Sequence, residues 1–370
     1  MSGDPMLLMT PGPTRVPRRV LDAGGRAMIH HRSLEFSREL ATLLELMPAL
    51  FGTVHAPLPV HTTGRGALEA TICNLFSAGD EIAVCCNGKF GEMWAGFAES
   101  YGLRVHRIAT DWLRDVNARE VDAFLAEHPR VRAVAMTYAD TSTGVANDVA
   151  GVARAANARS ALVLIDGVAA IGGMPFEFDE WGVDVAVTAS QKCLMASPGM
   201  AFVAMSERAW HAAETATLPR NYWDFRAIKR SIGGAKPETP GTTPVHIVLQ
   251  IAESLRMIHE EGVDNVLGRH TEMSQRVRDG VRELGLDLQC GSLKRYASTV
   301  TAIALPAPIT PALVRDALKA RGILTAAGLS RFQPTAFRIG HMGDIRLADV
   351  ERTLGTLADV LASAAAAVPT

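Results

Sequence analysis

Seven short apolar runs occupy residues 58–205, each separated from the next by helical or turn-rich sequence. They fall at residues 58–62, 81–86, 103–108, 131–138, 161–165, 183–188 and 200–205. Runs this apolar, without polar alternation, suit strands buried on both faces, and parallel strands linked by helices bury both. Amphipathic stretches at 67–76 and 121–127 supply such helices. The pattern predicts an α/β fold with a mostly parallel seven-stranded sheet covered on both sides. Residues 219–244, with Pro219, Pro237, Pro240, Gly241 and Pro244, read as an irregular segment before a long helix at 244–261. Strands at 286–289 and 300–304 and helices at 311–321 and 347–362 then predict a smaller C-terminal α/β domain. Pro11-Gly12-Pro13 marks an extended N-terminal arm. The expected division is an arm (1–20), a large domain (21–245) and a small domain (246–370).

Other properties exclude whole classes. With 37 basic and 39 acidic residues, a net charge of -2 leaves no broad basic field for nucleic acid or anionic lipid. No apolar run approaches the ~18 residues that span a bilayer. Residues 1–5 lack the basic and apolar parts of a secretory leader, and 368–370 do not form a peroxisomal address, so a cytoplasmic protein is expected. Cys73, Cys85, Cys86, Cys193 and Cys290 include no CxxC pair, so neither a metal site nor a disulfide framework is expected.

Three features sit at predicted strand ends, where open α/β sheets place ligands. Thr62-Thr63-Gly64-Arg65-Gly66 precedes a helix, whose free N–H groups and positive dipole end suit a phosphate. A tight strand-to-helix turn needs glycine in any case. Asp166 closes an apolar run, where a carboxylate needs a cation or donors, although a capping role also fits. Lys192 is one of six lysines and follows a buried run. Desolvation there would free a nucleophilic amine, although a lysine can also reach solvent along its stem. Together the three meet the needs of pyridoxal 5'-phosphate: a phosphate cradle, an acid for the pyridine nitrogen and a Schiff-base lysine.

The chain resembles the class V aminotransferases of the fold-type I pyridoxal-phosphate enzymes, in the alanine–, serine– and ureidoglycine–glyoxylate branch. The resemblance runs from Met9-Thr10-Pro11-Gly12-Pro13-Thr14 to Phe337-Arg338-Ile339-Gly340. Ser190-Gln191-Lys192, Asp166-Gly167-Val168, Asp140-Thr141-Ser142-Thr143-Gly144 and Asn87-Gly88-Lys89-Phe90-Gly91 carry it between. Arg65 and Asp179-Glu180-Trp181 are similar to the ureidoglycine-type members. The resemblance implies that Lys192 is the Schiff-base lysine and proton shuttle, and that Asp166 pairs with the pyridine nitrogen. It puts Val168 and Phe90 on the two ring faces, Thr63, Gly64, Arg65 and Gln191 around the phosphate, and Thr141 near the phenolic oxygen. It gives Gly12 and Arg338 to the substrate, Arg338 as a carboxylate clamp. It implies a homodimer with cofactor sites at the interface, where Thr242 reaches the partner's phosphate.

The expected function is transfer of an amino group from a small amino acid, such as alanine or serine, to glyoxylate or pyruvate by ping-pong chemistry. Ureidoglycine–glyoxylate transfer, a 2-aminoethylphosphonate-type reaction using Arg65 and Arg331, and another pyridoxal-phosphate reaction such as a lyase are the alternatives. A cysteine desulfurase would need a nucleophilic cysteine within 325–333, which has none. A silent binding protein would have no use for Lys192, Asp166 and Arg338 together.

Overall fold

The computed structural model describes residues 6–291 and 295–366, without the side chains of 365 and 366. The expectations for residues 1–5 and 368–370 lie outside the described residues. Seven strands form the large sheet: β1 (Leu58–Val60), β2 (Glu81–Cys86), β3 (Arg104–Ala109), β4 (Val131–Thr137), β5 (Leu162–Asp166), β6 (Val185–Ala189) and β7 (Ala201–Met205). Their order is β1-β7-β6-β5-β4-β2-β3. Only β7 runs against its neighbours, because the short turn from β6 leaves no room for a crossover helix.

Side chains alternate across this sheet. Val163 and Ile165 of β5 and Phe202 of β7 enter one core, which Val20, Leu40 and Leu255 close from the helices below. Leu162, Leu164, Val203 and Ala189 enter the other, under helices α1 (Gly64–Leu75) and α2 (Lys89–Ser100). The strands are thus apolar on both faces.

Helix α3 (Val245–Glu261) leaves the large sheet and is followed by α4 (Val263–Glu283). A second sheet has the order β8 (Asp287–Leu288), β9 (Val300–Ala304), β11 (Ala336–Gly340), β10 (Ala326–Ala327), with antiparallel pairing throughout. Its Ile303, Phe337 and Ile339 form a third core with α4 and with α5 (Leu347–Ala366). The expected N-terminal arm does more than extend. Leu7–Leu8 pairs in parallel with Ile323–Leu324, and Met9 is buried in the third core. The segment expected to be irregular holds a short helix, Phe225–Ile232, because Asp224 caps it and Phe225 and Ile228 are buried under the sheet. No helix among the described residues is long and apolar enough to cross a membrane.

Phe202 is wholly buried. Phe202→Ala is expected to lower unfolding stability by about 3 to 5 kcal/mol in a denaturant titration, from lost burial and the cavity left behind.

Candidate active site

A cavity of about 300 Å³ opens at the C-terminal ends of the parallel strands. β5 delivers Asp166 to it as its last residue, and the turn after β6 delivers Gln191 and Lys192. Helix α1 begins earlier than its apolar pattern predicts, at Gly64, with Thr63 as its N-cap. Its first turn is glycine-rich for a steric reason. A Cβ on Gly64 would lie 2.6 Å from Val168 Cγ2, and one on Gly66 would overlap Thr62 Oγ1. Thr63, Gly64 and Arg65 therefore present a helix start directly at the cavity wall. Arg65 is exposed, and among the described residues no carboxylate pairs with it. Phe90, Thr141 and Val168 complete the expected walls.

Lys192 is held by backbone. Its Nζ donates to the Pro11 carbonyl, and its own carbonyl accepts from Thr14 Oγ1 at 3.0 Å. Burial lowers its pKa from 10.5 to about 8. Burial also raises Asp166 to about 7, against a hydrogen bond that its Oδ1 accepts from Val168 N–H at 3.0 Å. Gly12 lies against the amine: a Cβ there would come 2.6 Å from Lys192 Nζ, and its φ of +108° disfavours any other residue.

Arg338 stands behind Thr141 rather than in the wall. The pleat of β11 sends Phe337 and Ile339 into the third core and turns Arg338 the opposite way. Its Nη1 donates to Thr141 O at 3.0 Å and its Nε to Ala327 O at 2.7 Å. Among the described residues it has no ion pair, and burial lowers it to about 10, so it stays charged at neutral pH. Thr242 lies elsewhere, exposed in a groove with Met28 and His31. Arg331 is occupied by Asp111 at 3.4 Å and lies 5.0 Å from the Trp112 ring centroid.

Four contributors have no role legible from their residue type. The Pro11 carbonyl is a backbone group, Thr14 acts across 178 positions of sequence, and Asp140 and Ser142 face away from solvent. The motifs containing them were visible, but their contacts are tertiary.

The family model of the aminotransferase class-V family matches residues 6–348. The chain belongs to the class V aminotransferases. It is 37% identical over 363 residues to a protein named "soluble hydrogenase, small subunit" from Synechococcus, covering 97% of this chain and 94% of the other. It is 36% identical to the L-aspartate–glyoxylate aminotransferase of Paracoccus denitrificans, covering 91% and 86%. The crystal structure of an alanine–glyoxylate aminotransferase from Nostoc matches it with a TM-score of 0.91 at 27% identity, covering 98% and 96%.

This aminotransferase is a pyridoxal-phosphate enzyme, and its residues fit that group. The α1 start lacks a side-chain cap at the cavity wall, the Gly64 position leaves no room for a Cβ beside Val168, and Arg65 next to it has no carboxylate partner among the described residues. When bound, the cofactor supplies an aldehyde that amines attack and a ring that accepts an electron pair. Thr63, Gly64, Arg65 and Gln191 would hold its phosphate, and Asp166 its pyridine nitrogen. Lys192 offers the amine.

Gly12→Ala is expected to prevent borohydride from fixing the cofactor to Lys192, read by mass spectrometry of the tryptic peptide. Lys192 also has a linkage signature. Folding lowers its proton affinity, so between about pH 8 and 10.5 the folded chain binds fewer protons than the unfolded one, and stability rises with pH. Cofactor-free Lys192→Met is therefore expected to melt above cofactor-free wild type below pH 8. The gap should narrow as pH rises toward 10.5.

Proposed function

We propose that this aminotransferase moves the amino group of a small amino acid, alanine, serine or similar, to a small 2-oxo acid, glyoxylate before pyruvate. The observation that carries this is Arg338, a buried guanidinium that donates only to neutral acceptors and so has its charge free for a substrate carboxylate. Both substrates of such a transfer bear that group. The glyoxylate named for the Paracoccus and Nostoc relatives supports the acceptor.

The residues divide the work. Arg338 orients the carboxylate. Lys192 Nζ, with its lowered proton affinity, takes the proton from the donor Cα and holds it inside the cavity. Asp166, nearly excluded from water, keeps its charge or proton for the ring nitrogen. The apolar walls of Val168, Phe90 and Met93 keep water from the reacting carbon. The same residues act in reverse order on the oxo acid, which gives ping-pong kinetics.

The same proposal includes a homodimer in which Thr242 reaches the partner's cofactor phosphate. Its exposure outside this chain's cavity, beside exposed Met28, supports that. It includes a cytoplasmic location, which five buried free thiols suit. It also includes the division into residues 1–20, 21–245 and 246–370, with α3 packed on the large unit.

The test is a matrix of amino donors against glyoxylate, pyruvate and 2-oxoglutarate. Glyoxylate should accept fastest, and fastest transfer to 2-oxoglutarate would overturn the acceptor assignment. Lys192→Ala is expected to lose about 100- to 10,000-fold in turnover from the proton transfer alone. Arg338→Ala is expected to raise KM for donor and acceptor by roughly 10-fold or more, with kcat affected less.

A further inference from the structure

Asp140 is a wholly buried carboxylate that the chemistry above does not use. It lies in a two-residue strand, Ala139–Asp140, that pairs with Val145–Ala146 beside the cavity. Its Oδ1 accepts from Ser142 N–H at 2.8 Å and from Ser142 Oγ. Its Oδ2 accepts from Phe90 N–H at 3.2 Å. Ser142 Oγ in turn accepts from Lys89 N–H at 3.2 Å. The pair thus satisfies two free N–H groups in the first turn of α2, whose N-cap, Gly88, has no side chain to do so.

The position of Asp140 links three parts of the site. Through Phe90 it fixes one cavity wall. Through Ser142 it fixes the turn that carries Thr141. Thr141 in turn accepts from Arg338. Asp166 and Lys192 bound the same cavity from β5 and the turn after β6. Gly88 shows how closely the carboxylate is seated. Its φ of 179° is extended backbone open to any residue, yet a Cβ there would overlap Asp140 Oδ2 and Cγ. Space for the carboxylate, rather than backbone freedom, calls for glycine at 88.

We propose that Asp140 is a positioning residue of the aminotransferase, whose single carboxylate holds the Phe90 wall and the Thr141–Arg338 clamp in register with each other. The proposal rests on the clamp role given to Arg338 above. Asp140→Asn keeps the shape but turns an amide toward Phe90 N–H or Ser142, so one of the accepted bonds is lost. Leaving a buried N–H donor unpaired costs about 10-fold or more in an equilibrium constant.

The experiment measures three quantities on Asp140→Asn, Gly88→Ala, Asp140→Ala and the double variant Gly88→Ala/Asp140→Ala. They are pyridoxal 5'-phosphate affinity by fluorescence quenching of the cofactor-free protein, the KM for donor and acceptor, and thermal midpoints with and without cofactor. Asp140→Asn and Gly88→Ala should each weaken cofactor binding and raise both KM values by roughly 10-fold, with smaller changes in kcat. Gly88→Ala should add little in the Asp140→Ala background, because the clash partner is gone. Wild-type affinity and KM in Asp140→Asn, with lowered thermal midpoints in both states, would reduce Asp140 to a helix cap and overturn the proposal. Additive effects of Gly88→Ala and Asp140→Ala would overturn it too. Failure of the clamp itself shows separately, as unchanged KM in Arg338→Ala.

Discussion

The structure of the site depends on keeping one amine out of water, held by a backbone carbonyl and, among the described residues, in no ion pair. Lys192 sits in a turn that is tied down from several directions. Ser190 Oγ donates to Ser197 O at 2.7 Å, Gln250 Oε1 accepts from Ser197 N–H at 2.9 Å, and Ser254 Oγ donates to Leu194 O at 2.6 Å. Met195 adopts φ +50° to complete the turn, a conformation that a side-chain-bearing residue holds only when its surroundings require it. With the backbone fixed, the amine meets a carbonyl and apolar walls. Desolvation then sets its proton affinity, which is what a nucleophile and proton carrier near neutral pH needs.

Two buried acids share this region with different consequences. Asp140 accepts from two backbone N–H groups and a hydroxyl, which oppose the rise in proton affinity that burial imposes without cancelling it. Asp166 accepts from Val168 N–H, and burial outweighs that bond, so its affinity for a proton is high. Burial thus raises both acids, and what differs is where their oxygens point: those of Asp140 are taken up by Ser142 and Phe90, while Asp166 faces the cavity. Arg338 follows the same logic with opposite sign: carbonyls hold it in place without cancelling its charge.

The strands of the large sheet were legible because burial on both faces leaves unbroken apolar runs, and the ends of those runs located Asp166 and Lys192. Thr63, Gly64 and Arg65 were legible as a strand-to-helix turn, although the helix starts among them rather than after them, since its first turn lacks the apolar residues that mark a helix. The helices at Arg18–Gly24 and Leu34–Leu46 and the helix Phe225–Ile232 were not foreseen; the last is short and proline-flanked, and its helical character comes from a cap and from docking. The antiparallel sense of β7 follows from a turn length that periodicity does not encode. Asp140, Ser142 and Thr14 sat in recognisable motifs, but their partners are dozens to hundreds of positions away, so only folding reveals the contacts.

The N-terminal segment carries a mechanical implication. Leu7 and Leu8 are stitched to Ile323 and Leu324, Met9 O accepts from Gly340 N–H at 2.9 Å, and the next residues reach Pro11 at the amine and Thr14 at the Lys192 carbonyl. Gly340 is two residues beyond Arg338 on the same strand. The strand that carries Arg338 and the carbonyl that holds the lysine are therefore rigged to one tether. A displacement at one end of that tether is therefore passed to the other, so the backbone around Arg338 and the seat of the Lys192 amine share one mechanical support.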